Sequence, residues 1–146
     1  MSFEKPLVTI VIPAYNEERY IASVINSIEE VTGTIQDFVF EVIVVDDGSN
    51  DSTSSIVASF PHVRLIQQKN KGKGAAVQRG VSSSQGKFIL IQDADLEYEV
   101  KDYKVLLSAL KESLDNGKVA IFGSRTIYKN NSKSGKYRYR LKPVLG

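Results

Sequence analysis

The 146-residue chain has no cysteine, no tryptophan and a single histidine. Zero cysteine excludes a disulfide framework, a thiol nucleophile and a thiolate metal centre. One histidine excludes a site built on two imidazoles, so any divalent cation held here must sit on oxygen ligands. No apolar run approaches the roughly 18 residues of a membrane span. The N-terminal MSFEKPLVTIVIP lacks the layout of a secretory signal, because its apolar stretch is short and ends in proline. A cytoplasmic location is the default expectation. Only four prolines and ten glycines are present, which excludes a collagen-like or linker-like chain. What remains, 42% hydrophobic and 25% charged, is the composition of one ordinary globular domain that can bury a core without staples.

Charge of one sign is missing from the last part of the chain. Up to Gly117 there are 11 bases against 17 acids, a balance of −6; from Lys118 onward there are 8 bases and no acid, a balance of +8. Such asymmetry points to an anionic partner near the C-terminal part: a phosphate, a membrane surface or nucleic acid. A solvated basic tail is the plainer alternative.

Hydrophobic patterning organises the rest. Leu7–Ile12 is a β-branched apolar run that reads as a buried strand stopped by Pro13. Asn16-Glu17-Glu18 reads as a helix start, followed by Ile21, Val24, Ile25 and Ile28 at helical spacing, with Gly33 past the end. Phe38–Val45 is a second strand, Asp46–Asn50 a turn, and Asp51–Ser59 a short helix capped by Asn50 or Asp51. Val63–Gln67 is a third strand. A Lys/Gly loop leads into a helix over Gly72–Ser84, and Phe88–Ile91 is a fourth strand. Tyr103, Leu106, Leu107, Leu110 and Leu114 form a helical stripe, and Val119–Phe122 is a fifth strand. After Arg125 the pattern dissolves. This alternation predicts an α/β fold with a mainly parallel sheet and helices on both faces. Ligands of such sheets bind beyond the carboxyl ends of the strands, so the residues directly after each strand carry the functional reading.

After the fourth strand comes Asp93-Ala94-Asp95. In an extended segment residues two apart point the same way, so both carboxylates can reach one Mg²⁺ or Mn²⁺ ion. Glu97 continues the alternation as a third ligand. A solvated acidic turn is the alternative. Asp46-Asp47 ends the second strand; a carboxylate there can accept bonds from a base or ribose, or serve the turn itself. Lys71-Gly72-Lys73-Gly74 before a helix can hold phosphate. It is neither a Walker A loop nor a dinucleotide fingerprint. Arg125 after the fifth strand can clamp a phosphate in two-point fashion.

In order along the chain, VTIVIPAYNEE (Val8–Glu18), VIVVDDGSNDST (Val42–Thr53), NKGKGAAVQRG (Asn70–Gly80), IQDADLEY (Ile91–Tyr98) and FGSR (Phe122–Arg125) resemble the family-two inverting glycosyltransferases. The form of the motifs is nearest to the dolichyl- and polyprenyl-phosphate sugar transferases. The resemblance implies a GT-A, Rossmann-like fold and transfer of a hexose from a nucleotide-diphosphate sugar, with inversion, to a polyprenyl phosphate. Transfer to a saccharide hydroxyl and an inactive nucleotide-binding remnant are the alternatives. It implies that Pro13, Tyr15, Asn16 and Glu17 line the nucleotide pocket, that Asp46 or Asp47 contacts the base or ribose, and that Lys73 serves the same donor. It gives Asp93 and Asp95 the diphosphate and its Mg²⁺ or Mn²⁺, with Glu97 a further ligand and Asp95 catalytic. Arg125 and Arg140 hold the acceptor phosphate, with Arg138 an alternative to the latter. The implied layout is a nucleotide-sugar-binding core over residues 1–125 and a basic acceptor-side loop over 126–146. Its partners are the donor, the lipid phosphate and the cytosolic face of a membrane, not nucleic acid. The family domain continues well past 146, so the chain reads as C-terminally truncated.

A sugar-1-phosphate nucleotidyltransferase would need a glycine-rich basic loop where PAYNEE stands. A phosphoreceiver domain would need its acidic pair after the first strand. Neither pattern is present.

Overall fold

A computed structural model describes residues 4–95, 100–112, 119–122 and 140–143, the last two stretches by backbone only. The chain divides into two compact units, Met1–Val100 and Lys101–Gly146.

The first unit alternates strand and helix: β1 (Leu7–Ala14), α1 (Ile21–Gly33), β2 (Val39–Asp46), α2 (Thr53–Ala58), β3 (Val63–Gln67), α3 (Lys73–Ser83) and β4 (Phe88–Ile91). The four strands form one parallel sheet in the order β3-β2-β1-β4. The chain thus builds outward from β1 on one side, then crosses back to add β4 on the other. Right-handed crossovers put α1 and α2 on one face and α3 on the opposite one. Consistent with this, Ala76 of α3 packs with Ile43 and Val45 of β2, and the register places those residues on the same face as Val11. The other face carries Ile10, Ile12 and Val44, all fully buried. Both faces of the sheet centre are therefore covered, as a parallel sheet requires. On β4, Ile89 and Ile91 are exposed.

Gly80 is the point where α3 approaches β1. A Cβ there would overlap the side chain of Val11, which is itself fully buried. Gly80→Val is expected to overpack this contact and to cost about 1–3 kcal/mol, read as a lowered melting temperature. Gln92, at the end of β4, donates its backbone N–H to the Val11 carbonyl at 3.0 Å.

Two sequence expectations are corrected in β1 and α1. Pro13 does not stop β1, which pairs with β2 as far as Ala14 opposite Asp46. The Ala14 carbonyl accepts from Asp47 N at 2.8 Å on the β2 side, and the Val11 carbonyl accepts from β4. Main-chain groups of successive residues alternate sides, so the missing N–H of Pro13 faces β4, beyond the last paired residues Val11 and Ile91. No ladder bond is lost there, which is why proline is tolerated. The helix expected to begin at Asn16 begins instead at Ile21, with no acid in its first turn. Asn16 and Glu18 are engaged elsewhere, as described below. Gly33 is the last residue of α1 rather than past its end. Likewise α2 starts at Thr53, and it is Asp51 that accepts from the Thr53 N–H at 2.9 Å.

At the opposite end of the sheet a buried polar network is closed by the protein itself. The hydroxyl of Thr9, fully buried, donates to Glu41 Oε2 at 2.6 Å and accepts from Gly86 N at 2.9 Å. It anchors the α3–β4 turn, and the buried hydroxyl both donates and accepts.

The second unit contains α4 (Tyr103–Glu112), β5 (Val119–Phe122) and β6 (Arg140–Pro143). Val119–Phe122 pairs antiparallel with β6, Phe122 opposite Arg140. Residues 140–143, expected as loop, are thus a strand. The segment has no β-branched residue and gains its conformation from its partner rather than from propensity. Among the described residues no helix is long and apolar enough to cross a membrane.

Candidate functional site

At the carboxyl end of the sheet the chain leaves β1 and β4 in different directions, because the crossover reverses between them. This is where open α/β sheets bind ligands. A cavity of about 260 Å³ opens there, bordered by Pro13 and Ala14 at the end of β1, by Tyr15 and Glu17 beyond it, by Asp47 after β2, by Asn70 and Gly72 in the loop before α3, and by Lys73 and Ala76 in its first turn. Asp93, Ala94 and Asp95 after β4 complete the wall. The cavity lies wholly within the first unit.

Asp47 is 3% exposed and organises one wall. Its Oδ1 accepts from Gln68 Nε2 at 2.7 Å and Lys71 N at 2.9 Å, and its Oδ2 accepts from Gly72 N at 2.8 Å. Burial pushes its carboxyl up. The Gln68 amide and the two backbone N–H groups prevail and hold it below the usual carboxylate range. This carboxylate fixes the Lys71–Gly72 loop and so sets the position of Asn70 and Lys73. Gly48, next along, adopts φ +81°, and a Cβ there would lie 2.8 Å from Asn70 N. Only glycine lets the two loops approach so closely.

Lys73 is the first residue of α3. A cation at the positive end of a helix is electrostatically misplaced unless an anion answers it. Here Asp93 does, through an ion pair to Lys73 Nζ. Glu17 faces the acids across the cavity. Its carboxyl is raised above the usual range, first by burial, then by the charges of Asp95, Asp51 and Asp93. Four carboxylates and one lysine border the space.

This donor set fits a hard divalent cation. Mg²⁺ and Mn²⁺ take oxygen ligands and need only one or two carboxylates when a diphosphate and water complete the shell. Asp93 and Asp95 would hold it, and a cation would relieve the field that raises Glu17. Among the described residues no group of three or more acids or histidines is gathered for a metal. Glu97, expected as a third ligand, lies outside the described residues, as does Arg125; Arg138 does too, and of Arg140 only the backbone, in β6, is described.

The sequence expectation therefore meets the structure unevenly. Pro13, Tyr15, Glu17, Asp47, Lys73, Asp93 and Asp95 share one cavity. Asn16 and Asp46 do not border it. Asp46 is 2% exposed, and its carboxylate accepts from Ser49 N and Oγ at 3.0 and 2.5 Å and from the Ser54 hydroxyl. Sequence reasoning missed Asn70 as a wall residue. Its signals are its place before the Lys71-Gly72 turn and at the head of the NKGKGAAVQRG segment.

Residues 9–144 match Glycosyl transferase family 2. Dolichyl-phosphate beta-glucosyltransferase ALG5D of Trichomonas vaginalis is 34% identical over 156 residues, covering 99% of this chain and 47% of that protein. The chain spans less than half the length of the curated dolichyl-phosphate glucosyltransferases it matches. S. aureus TarS (residues 1–349), solved with UDP-GlcNAc, has a TM-score of 0.61 and 30% identity, over 78% of this chain and 32% of that one. Glucosyl-3-phosphoglycerate synthase from Mycobacterium tuberculosis, solved with Mn²⁺, UDP and glucosyl-3-phosphoglycerate, has a TM-score of 0.60 and 27% identity, over 72% of this chain and 39% of that one.

Proposed function

We propose, from the premise that this chain belongs to glycosyl transferase family 2, that its cavity binds a sugar nucleotide and serves inverting transfer of a hexose to a polyprenyl phosphate. The observation that carries the reading is the convergence of Asp93, Asp95, Glu17 and Lys73 on one cavity at the switch point of the sheet. That is the chemistry a nucleoside diphosphate requires: a cation held by carboxylates for the leaving charge, and a lysine for a phosphate oxygen. Glucose is the sugar favoured by the names of the curated relatives. UDP is favoured by the solved synthase that holds UDP-glucose with Mn²⁺.

In this reading Tyr15 and Asn70 face the base and ribose from opposite loops, and Asp47 keeps the second of those loops in place. Lys73 neutralises a phosphate at the start of α3. Asp93 and Asp95, with Glu97 as a further ligand, would hold a Mg²⁺ or Mn²⁺ ion, which would supply Lewis-acid stabilisation of the departing diphosphate. An acceptor phosphate oxygen attacks the anomeric carbon, the bond from that carbon to the diphosphate breaks, and the nucleoside diphosphate leaves. A phosphate monoester with a second pKa of about 6 is already largely dianionic at neutral pH and needs no general base. It does need cations beside the donor. Residues 1–125 are the donor-binding core on this account. The 8 bases after Gly117, Arg125 and Arg140 foremost, gather the anionic acceptor at the cytosolic surface of a membrane, each base adding ~1 kcal/mol near such a surface.

Calorimetric titration of UDP-glucose into the purified chain, with and without Mn²⁺, tests the donor site. Binding that needs the ion is expected, and a folded chain that ignores the nucleotide sugar overturns the reading. Labelled glucose should then pass to dolichyl phosphate in vesicles. Transfer to a free saccharide hydroxyl alone would rule out the lipid acceptor.

A further inference from the structure

The loop after β1 and the loop after β2 are laced together by side chains 33 to 36 residues apart in sequence. Ser49 Oγ accepts from Asn16 N at 2.9 Å, and Asn16 Oδ1 accepts in return from Asn50 N at 2.9 Å. Thr53 Oγ1 accepts from Glu17 N at 2.9 Å. Asp51 Oδ2 accepts from Glu18 N at 3.2 Å, and Glu18 Oε2 accepts from Ser52 N at 3.0 Å. Behind Ser49 stands the buried Asp46, which binds both its N–H and its hydroxyl. At the centre of the lacing Asn16 adopts φ +52°, the one positive φ of a non-glycine residue among the described residues. Asparagine accepts that conformation more readily than most side chains. Tyr15 and Glu17, on either side of Asn16, both border the cavity.

We propose that Asn16 is a positioning residue for the donor site, and that Asp46 acts with it through Ser49. Together they clamp the two loops so that Tyr15 and Glu17 are held on the cavity wall, and neither touches the donor. This replaces direct contact by these two residues and rests on the donor-site reading given above. It also accounts for a buried carboxylate, Asp46, that the cavity does not use. Its bonds to Ser49 fix the hydroxyl that receives the Asn16 N–H, and its bond to Ser54 ties the same loop to α2.

Two substitutions separate the roles of Asn16. Asn16→Gly keeps the positive φ and removes the acceptor for Asn50 N. Asn16→Asp keeps the acceptor and adds a charge. If Asn16 positions, Asn16→Gly should weaken Mn²⁺-dependent UDP-glucose binding about tenfold, the change that ~1.4 kcal/mol produces, and Asn16→Asp should restore most of it. Ser49→Ala should weaken binding similarly. The Asn16→Gly, Ser49→Ala pair should lose less than the sum of the two, because both break one clamp. If Asn16 touches the donor, Asn16→Asp brings a negative charge against it and binds no better than Asn16→Gly, and the proposal falls. It falls too if Asn16→Gly lowers the melting temperature while the folded variant binds with wild-type affinity. Amide hydrogen exchange of the free chain gives a readout that needs no donor. Asn16→Gly should speed exchange at Asn16, Glu17 and Asn50, and Asn16→Asp should slow it again. A wild-type chain that fails to bind UDP-glucose would refute the donor site, while the exchange pattern would still judge the clamp; unchanged exchange refutes the clamp itself.

Discussion

Asp95→Asn is expected to lower Mn²⁺-dependent affinity for UDP-glucose by about a hundredfold or more while leaving the fold intact. The substitution preserves shape and removes one negative charge and one hard anionic oxygen. Loss of a group that merely orients a metal ligand already costs 10–100-fold, so loss of a ligand should cost at least the upper part of that range. Asp95 borders the cavity beside the acids whose charges add to the raised carboxyl of Glu17, and its own side chain is not among the buried core, although its neighbour Ala94 is. Calorimetry with and without the ion isolates the effect: affinity for UDP-glucose in EDTA should change little. An unaltered metal response in a folded variant would remove Asp95 from the ion's ligand set. Asp93→Asn should be more complex, because it also releases Lys73 from its ion pair. With that anion gone and the Lys73 charge left to meet a phosphate oxygen, nucleotide binding without metal is expected to rise there rather than fall.

The second large effect is on stability. Asp47→Asn should lower it by about 2–3 kcal/mol, the scale of hydrogen bonds to a charged group and of a buried partner left unmet. That corresponds to a fall in melting temperature of roughly 5–10 °C for a domain of this size. An amide offers one acceptor oxygen where the carboxylate serves Gln68 Nε2, Lys71 N and Gly72 N with two. Its NH₂ would be turned toward a donor. The same reasoning gives a pH signature. The folded carboxyl of Asp47 is held low, although burial alone would raise it, by the Gln68 amide and the Lys71 and Gly72 N–H groups. A depressed carboxyl contributes stability in full above its unfolded value of about 3.9. That contribution is lost as pH falls from there through the lower folded value. Wild type should therefore lose more stability in acid than Asp47→Asn, and the two stability curves should converge at low pH. A variant that melts within a degree of wild type at neutral pH would show that the loop closes without this carboxylate.

The sequence alone carried the α/β alternation, and the ends of β3, β4 and β5 were read to the residue, because apolar runs bounded by turn residues are a local signal. It also carried the chemistry at the strand ends. An acid pair after β4 and a lysine entering α3 follow from residue types and order, and the structure brings them to one cavity. What tertiary structure decided is where each polar group spends its hydrogen bonds. Asn16 and Glu18 have the composition of a helix start. Their acceptors instead serve Asn50 and Ser52, because the parallel sheet brings those amides alongside. Pro13 has the character of a strand stop, yet it costs nothing where β4 has already ended. Asp46 and Asp47 are indistinguishable in sequence. Alternation along β2 sends one toward Ser49 and Ser54 and the other to the cavity and the Lys71–Gly72 loop. Hydrophobic periodicity is fixed by neighbours along the chain. The partner of a hydrogen bond is fixed by neighbours in space, some 30 residues away, and exists only once the sheet has formed.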